Sequence, residues 1–256
     1  MRPVFLSLTL LFWLSQVLFA ETTAKEVKGE TETIAVSSTV AGNLDIESSG
    51  EGFYPAGSSP KAGKWEVGAE ARKLSVSATP LVEGWMEFGP EIREKGATMT
   101  AIVRGPGQGR LKSRFGAGLY GKNGFQLRVV QVSNRLQLVR RGEVLQDVAA
   151  ELVPGQAYHL ELSVLEDENN WKIAGRIWPY ESSRPEKAMI QMRFFSDELL
   201  FPLAGRPVIT ATPFSGEPVS FLGATAYFGE FVTPDLDGDA EADEDLKKDK
   251  EAGEDE

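Results

Sequence analysis

Few residues of this chain could do chemistry. His159 is the only histidine, and it stands two positions from Glu161. In an extended strand that spacing puts both side chains on one face. Such a pair could abstract a proton while a nearby arginine neutralises an acidic substrate. A histidine on a strand is more simply a surface group, and that reading is preferred here. Cleaving a glycosidic bond needs two carboxyl groups about 5–5.5 or 6.5–9.5 Å apart. Glu87 and Glu91 straddle Phe88-Gly89-Pro90 and cannot share a strand face across that turn. Glu166-Asp167-Glu168 reads as a solvated turn. There is no cysteine, which excludes a thiol nucleophile, a Cys-based zinc site, a disulfide framework and a lipid-modified cysteine anchor. Neither a Gly-x-Ser-x-Gly elbow nor a phosphate loop is present. Gly116-Ala-Gly-Leu-Tyr-Gly121 has dinucleotide-like glycines, but no helical pattern follows them, so it reads as a close-packed strand or turn. The chain is expected not to be an enzyme, and no cofactor is implied.

Binding chemistry is better represented. Aromatic planes accept the apolar face of a sugar ring, and Arg and amide groups hydrogen-bond to its hydroxyls. The candidate ligand-binding residues are Trp178, Arg176, Arg128 and Gln126, with Trp171 and Tyr180 at the edge. Trp171 follows Glu168-Asn169-Asn170 and is expected to be accessible. Trp85 is a further stacking candidate. Arg104, Arg114 and Arg140 could complement an anionic polysaccharide or balance local carboxylates. Asp235-Leu-Asp-Gly-Asp239 with Asp243 spaces oxygens as calcium loops do. Its glycine is fourth rather than sixth and its twelfth position is Leu246, which favours a solvating tail with no more than weak calcium binding.

The elements that must position these groups alternate with a period of two. Phe125–Val129, Arg135–Val139, Tyr158–Val164 and Lys172–Trp178 each place apolar residues on every second position, the signature of half-buried strands. Thr98–Arg104, Ala188–Phe194 and Phe221–Phe228 add further strands. Gly105-Pro106-Gly107, Lys122-Asn123-Gly124, Arg141-Gly142 and Pro154-Gly155 punctuate them. Asp197–Leu203 reads as at most one short helical turn. The expected fold is all-β, a two-sheet antiparallel sandwich. Phe125, Leu127, Val129, Leu136, Leu138, Tyr158, Leu160, Leu162, Val164, Ile173 and Ile177 should face its core. Gln126, Arg128, Gln137, His159, Glu161, Arg176 and Trp178 should make up the opposite face, offering a shallow surface for a hydroxylated ligand.

At 256 residues with 41% apolar content, one such domain plus tails fits better than two. Val4–Phe19 is apolar save for Ser7, Thr9, Ser15 and Gln16. Preceded by Arg2, it reads as a signal peptide over residues 1–20. Cleavage after Ala20 or after Ala24 and retention as an anchor are the alternatives, and no other segment is apolar enough to span a bilayer. Residues 21–64 read as a low-complexity linker, Glu32–Val40 offering an edge strand. Residues 65–234 are the sandwich and 235–256 an acidic tail. That tail carries 12 acids against 3 bases, so −9 of the net −11 lies there and about −2 in everything before it. The charge argues against nucleic acid as partner, and the export signal implies a secreted or periplasmic location.

Gly116–Arg128, Asn134–Gly142, Pro154–Leu162, Ile173–Tyr180 with Arg184-Pro-Glu186, and Phe221–Phe231 together resemble the concanavalin A-like lectin/glucanase superfamily in its laminin-G-like form, as found in exported bacterial proteins. The likeness covers about Trp65 to Phe231 and implies a jelly-roll sandwich. Members of that superfamily are glycan-binding, adhesive or spacer modules, and some are glycoside hydrolases or polysaccharide lyases. The glucanase branch carries Glu-x-Asp along one strand, which this chain lacks. The lyases carry a Gln-x-His strand, and Gln156-Ala-Tyr-His159 does not match its spacing. The expectation is a non-catalytic module for a glycan or cell-surface polymer, with a polysaccharide-degrading enzyme or a structural spacer as the alternatives.

Overall fold

The computed structural model describes residues 40–44, 46, 54–68, 73–77, 82–93, 96–107, 113–168, 170–198, 203–214 and 217–229. Strands of two antiparallel sheets hold well over half of them. The eight-stranded sheet runs in the order β13 (Ile190–Phe195), β12 (Asn170–Pro179), β11 (Ala157–Asp167), β6 (Gly96–Arg104), β15 (Val219–Phe228), β4 (Lys73–Val76), β3 (Trp65–Gly68). Its eighth strand, β1 (Val40–Leu44), also pairs with β15, further along from β4. The seven-stranded sheet runs β10 (Glu143–Ala149), β9 (Arg135–Arg140), β8 (Phe125–Val130), β7 (Arg114–Leu119), β14 (Val208–Thr212), β5 (Gly84–Glu87), β2 (Ser59–Ala62). The expected two-sheet jelly-roll sandwich is what forms.

Alternation dictates the packing. All eleven residues expected in the core are buried. From the eight-stranded sheet, Met99, Val103, Leu160, Leu162 and Ile173 meet Phe115, Leu119, Leu127, Leu138 and Met86 of the other in one continuous cluster. Each such side chain, fully buried, contributes about 1.5–3 kcal/mol. At one margin Phe125 and Phe194 meet edge-on at 5.6 Å. The Arg140 guanidinium lies over both rings, 5.3 and 4.8 Å from their centroids. Arg140 therefore seals an edge of the core. Arg114 likewise lies 5.6 Å over Phe214.

Turn chemistry sets register. Arg141 and Gly142 join β9 to β10 with φ of 51° and 82°, the two left-handed residues that a type I′ hairpin requires. Gly116 answers a different demand: a Cβ there would lie 2.5 Å from the Leu127 carbonyl oxygen. The glycine-rich segment is strand β7 followed by a turn, with no helix.

Two expectations need correction. The sandwich does not begin at Trp65, because β1 and β2 belong to its sheets. Both are short edge strands held by backbone pairing, which small polar residues allow, and Leu44 and Ile46 plug the core beside them. Residues 32–39, where an edge strand was expected to start, lie outside the described residues, as do the signal segment and the acidic tail. Trp171 is not accessible. It shares the parity of Ile173 and Ile177, points inward and is 6% exposed.

Candidate functional site

The outer face of the eight-stranded sheet is where the chemistry gathers. Pairing of β11 with β12 sets His159 opposite Trp178 and Glu161 opposite Arg176. On its other side β11 sets His159 opposite Ile102 and Glu161 opposite Thr100. Since Leu160 and Leu162 fill the core, the odd-numbered residues between and beside them must point outward.

Glu161 nonetheless has no exposed surface, because the segment after β12 folds back over it. Arg176 Nη1 donates to Glu161 Oε1 at 2.5 Å. Arg184 Nε donates to Oε2 at 2.5 Å and its Nη2 to Oε1 at 2.7 Å. Arg176 Nη2 also donates to the Glu186 carbonyl at 3.1 Å, and Met189 N–H to the Gly175 carbonyl at 2.9 Å. One buried carboxylate thus clamps the 181–189 segment against the sheet. With three of its roughly four acceptor positions taken by guanidinium donors and no surface in water, Glu161 is out of reach of a sugar and acts as a positioning residue.

Beside this clamp lies an aromatic group. The His159 imidazole stacks on Trp178, centroids 4.9 Å apart and planes 13° from parallel. It also stacks on Tyr180 at 5.2 Å and 21°. The Tyr180 N–H donates to the Ala157 carbonyl at 2.9 Å, fixing the ring at the strand end. Burial lowers the His159 pKa below its ordinary 6.5, and a hydrogen bond to the Tyr180 backbone works against that shift. The imidazole is therefore neutral near pH 7 and behaves as a third aromatic ring. Trp178 and His159 form one wall of a cavity of about 400 Å³, with Thr100, Thr225, Tyr227 and Arg184 around it. Thr225 Oγ1 donates to Asn43 Oδ1 at 2.9 Å, so strand β1 completes the rim.

The sequence-based candidates do not share one surface. Trp178, Arg176 and Tyr180 come together here. Gln126 and Arg128 sit on β8, in the other sheet, and face away on the opposite side of the sandwich. Gln126 Nε2 donates to the Lys122 carbonyl at 2.6 Å. Arg128 Nε and Nη2 both donate to Gln137 Oε1, at 3.1 and 2.8 Å. Burial, together with Arg114 nearby, holds the Arg128 pKa below that of a free guanidinium. Trp85 is on that sheet too, covered by the Lys122 ammonium 5.4 Å from its ring. Asn43, Thr100, Arg184 and Thr225 were not singled out from sequence. Thr100 and Thr225 lie in strands that alternation identifies, whereas Arg184 and Asn43 reach the site from a loop and from beyond the expected domain boundary. Among the described residues no group of three or more His, Asp or Glu side chains could hold a metal ion.

No protein-family model matches the chain, and no curated protein sequence does. Solved structures do match. The carbohydrate recognition domain of Emp46p in its metal-free form superposes with a TM-score of 0.53 at 11% identity, covering 73% of this chain and 95% of that one. A point mutant of the same domain gives the same values. Carbohydrate binding module CBM66 from Bacillus subtilis aligns over 67% of this chain and 95% of its own at 12% identity, with a TM-score of 0.48. At such identities the likeness is one of fold: this chain has a lectin-like jelly roll.

Proposed function

We propose that the chain is an exported, non-catalytic carbohydrate-binding module of the laminin-G-like kind. It would hold a glycan or cell-surface polymer on the outer face of its eight-stranded sheet. The observation that carries this reading is the cavity beside Trp178. Stacked aromatic rings stand at one side of it and hydroxyl, amide and guanidinium groups at the other. A pyranose needs that combination, an apolar plane for its CH face and donors and acceptors for its rim. The carbohydrate recognition domain that shares the fold supports the reading without assigning the ligand. A shallow cavity on a rigid sheet asks for little reordering on binding, which favours recognition of a repetitive polymer.

Catalysis is disfavoured by the state of Glu161, sealed between two guanidiniums, and by the neighbouring aromatic His159. A secreted or periplasmic setting follows from the N-terminal leader pattern. Among the described residues no helix is long and apolar enough to cross a membrane.

The test is a titration of the protein against a glycan panel by calorimetry, with Trp178→Ala and Tyr180→Ala beside Gln126→Ala and Arg128→Ala. Trp178→Ala should weaken binding at least tenfold, a loss of about 1.4 kcal/mol. The two β8 substitutions should leave it unchanged. Unchanged affinity in Trp178→Ala and Tyr180→Ala removes the site assignment. Release of new reducing ends or unsaturated products from any polysaccharide would mean an enzyme. Absence of saturable binding throughout the panel would mean a spacer.

A further inference from the structure

The outer face of the eight-stranded sheet carries a second cavity, about 490 Å³, on the far side of the Glu161 clamp. Ser163, Lys172, Arg176, Ala188, Gln191 and Arg193 are among the residues that line it. Its chemistry differs from that of the first. No aromatic side chain contributes, and three cations do. The Lys172 side chain is exposed and, among the described residues, its ammonium has no ion-pair partner. Arg193 is exposed, and its guanidinium pairs with Asp167 at 3.2 Å. Arg176 is held by Glu161 through Nη1, yet its buried Nε–H has no hydrogen-bond partner. A buried donor left unmatched is costly, and an acceptor brought by a ligand relieves that cost.

The two cavities lie along one direction. His159 borders the first and Ser163 the second, four residues apart on β11, which is roughly 13 Å at strand rise. The clamp between them is not electrically neutral either, since one carboxylate there faces two guanidiniums. Among the side chains that form the clamp, line the second cavity as ions or pair with those ions, four cations (Lys172, Arg176, Arg184, Arg193) stand against two carboxylates (Glu161, Asp167). That surplus occurs in a protein whose net charge is −11.

We propose that the two cavities are subsites of one elongated site, and that the ligand is an acidic glycan. One sugar ring would pack beside Trp178, and the anionic group of a unit further along would sit among Lys172, Arg176 and Arg193. This deepens the carbohydrate-binding reading above and rests on it. A free small anion would fill only the cationic end, and a neutral glycan would leave that end unmatched. The shared chemistry required is an anionic substituent on a sugar chain, whether carboxylate or sulfate.

The experiment measures affinities at low salt for three sets of hexasaccharides: neutral ones of glucose, xylose and mannose, carboxylated ones of galacturonate and mannuronate, and a sulfated one from heparin. Monomeric galacturonate serves as the free-anion reference. At least one acidic hexasaccharide should bind tenfold or more tightly than every neutral one and than the monomer, and the better acid identifies the group. The double variant Lys172→Gln/Arg193→Gln changes only exposed side chains, so folding is preserved. It should remove at least tenfold of the acidic affinity and lower neutral binding by much less. Neutral hexasaccharides that bind through Trp178 as tightly as the acids overturn this inference alone, as does an unaltered acidic affinity in the double variant. If no hexasaccharide binds, the carbohydrate-binding reading falls with it.

Discussion

Glu161 has no surface in water, and three guanidinium nitrogens of Arg176 and Arg184 hold its two carboxylate oxygens in charge-assisted hydrogen bonds. Removing one partner of a buried ion pair strands the others, at about 3–5 kcal/mol. Glu161→Gln keeps the shape and removes the charge. It should lower the melting temperature by roughly 6–12 °C if about 3 kcal/mol is lost in a domain of this size. Proteolysis within 181–189 should also accelerate, because that segment loses its anchor; an unchanged melting curve would mean that the clamp contributes nothing net. His159 makes a second residue-scale case. Its folded-state pKa is lowered, so the unfolded chain takes up the proton first as pH falls below 6.5. Stability should be flat above that pH and decline below it, until the folded-state pKa is passed. Arg184, lining the same cavity, opposes a charged imidazole, while the negative charge of Glu161 is already taken up by its arginines. Melting temperatures at pH 7.5 and 5.5 should differ more in the wild type than in His159→Phe.

Strands were the most legible part of the chain, since each carries its own record of what it buries. The alternation in Tyr158–Val164 and in Lys172–Trp178 put every apolar residue named for the core there correctly, while Glu161, expected on the outer face, is buried beneath the 181–189 segment. The same rule would have turned Trp171 inward had its parity with Ile173 outweighed its proximity to a turn. Periodicity, however, is a local property and says nothing about which sheet a strand joins. β8 and β12 alternate alike, yet they belong to different sheets. Gln126 and Arg128 therefore parted company with Arg176 and Trp178. β1 and β2 were illegible for another reason. An edge strand can be held by backbone hydrogen bonds with few large side chains, and Val-Ala-Gly-Asn-Leu and Ser-Pro-Lys-Ala look like linker. Arg184 was hidden because a loop residue has no period at all. Only the folded chain brings it to Glu161, 23 positions earlier.

At the scale of the molecule the decisive feature is an uneven distribution of charge. Residues 235–256 hold a net −9, and everything before them about −2. A cationic strip proposed to take an acidic polymer therefore shares its chain with an acid-rich segment, whose field acts on the strip only within its range. The range of that field is set by salt: the Debye length is about 30 Å at 0.01 M and about 3 Å at 1 M. Both ligand and segment are polyanions, so they compete for the same potential. Deleting residues 235–256 should then raise affinity for an acidic hexasaccharide several-fold at 10 mM salt, mainly through faster association. The gain should shrink as salt is added and vanish near 1 M, where contacts inside the cavities still operate. Neutral hexasaccharides, which feel no net field, should bind the shortened and full-length chains equally at every salt concentration. Stopped-flow association rates for both chains across a salt series check this. A deletion that leaves the low-salt rate for the acidic ligand unchanged would show that the segment's charge does not reach the strip.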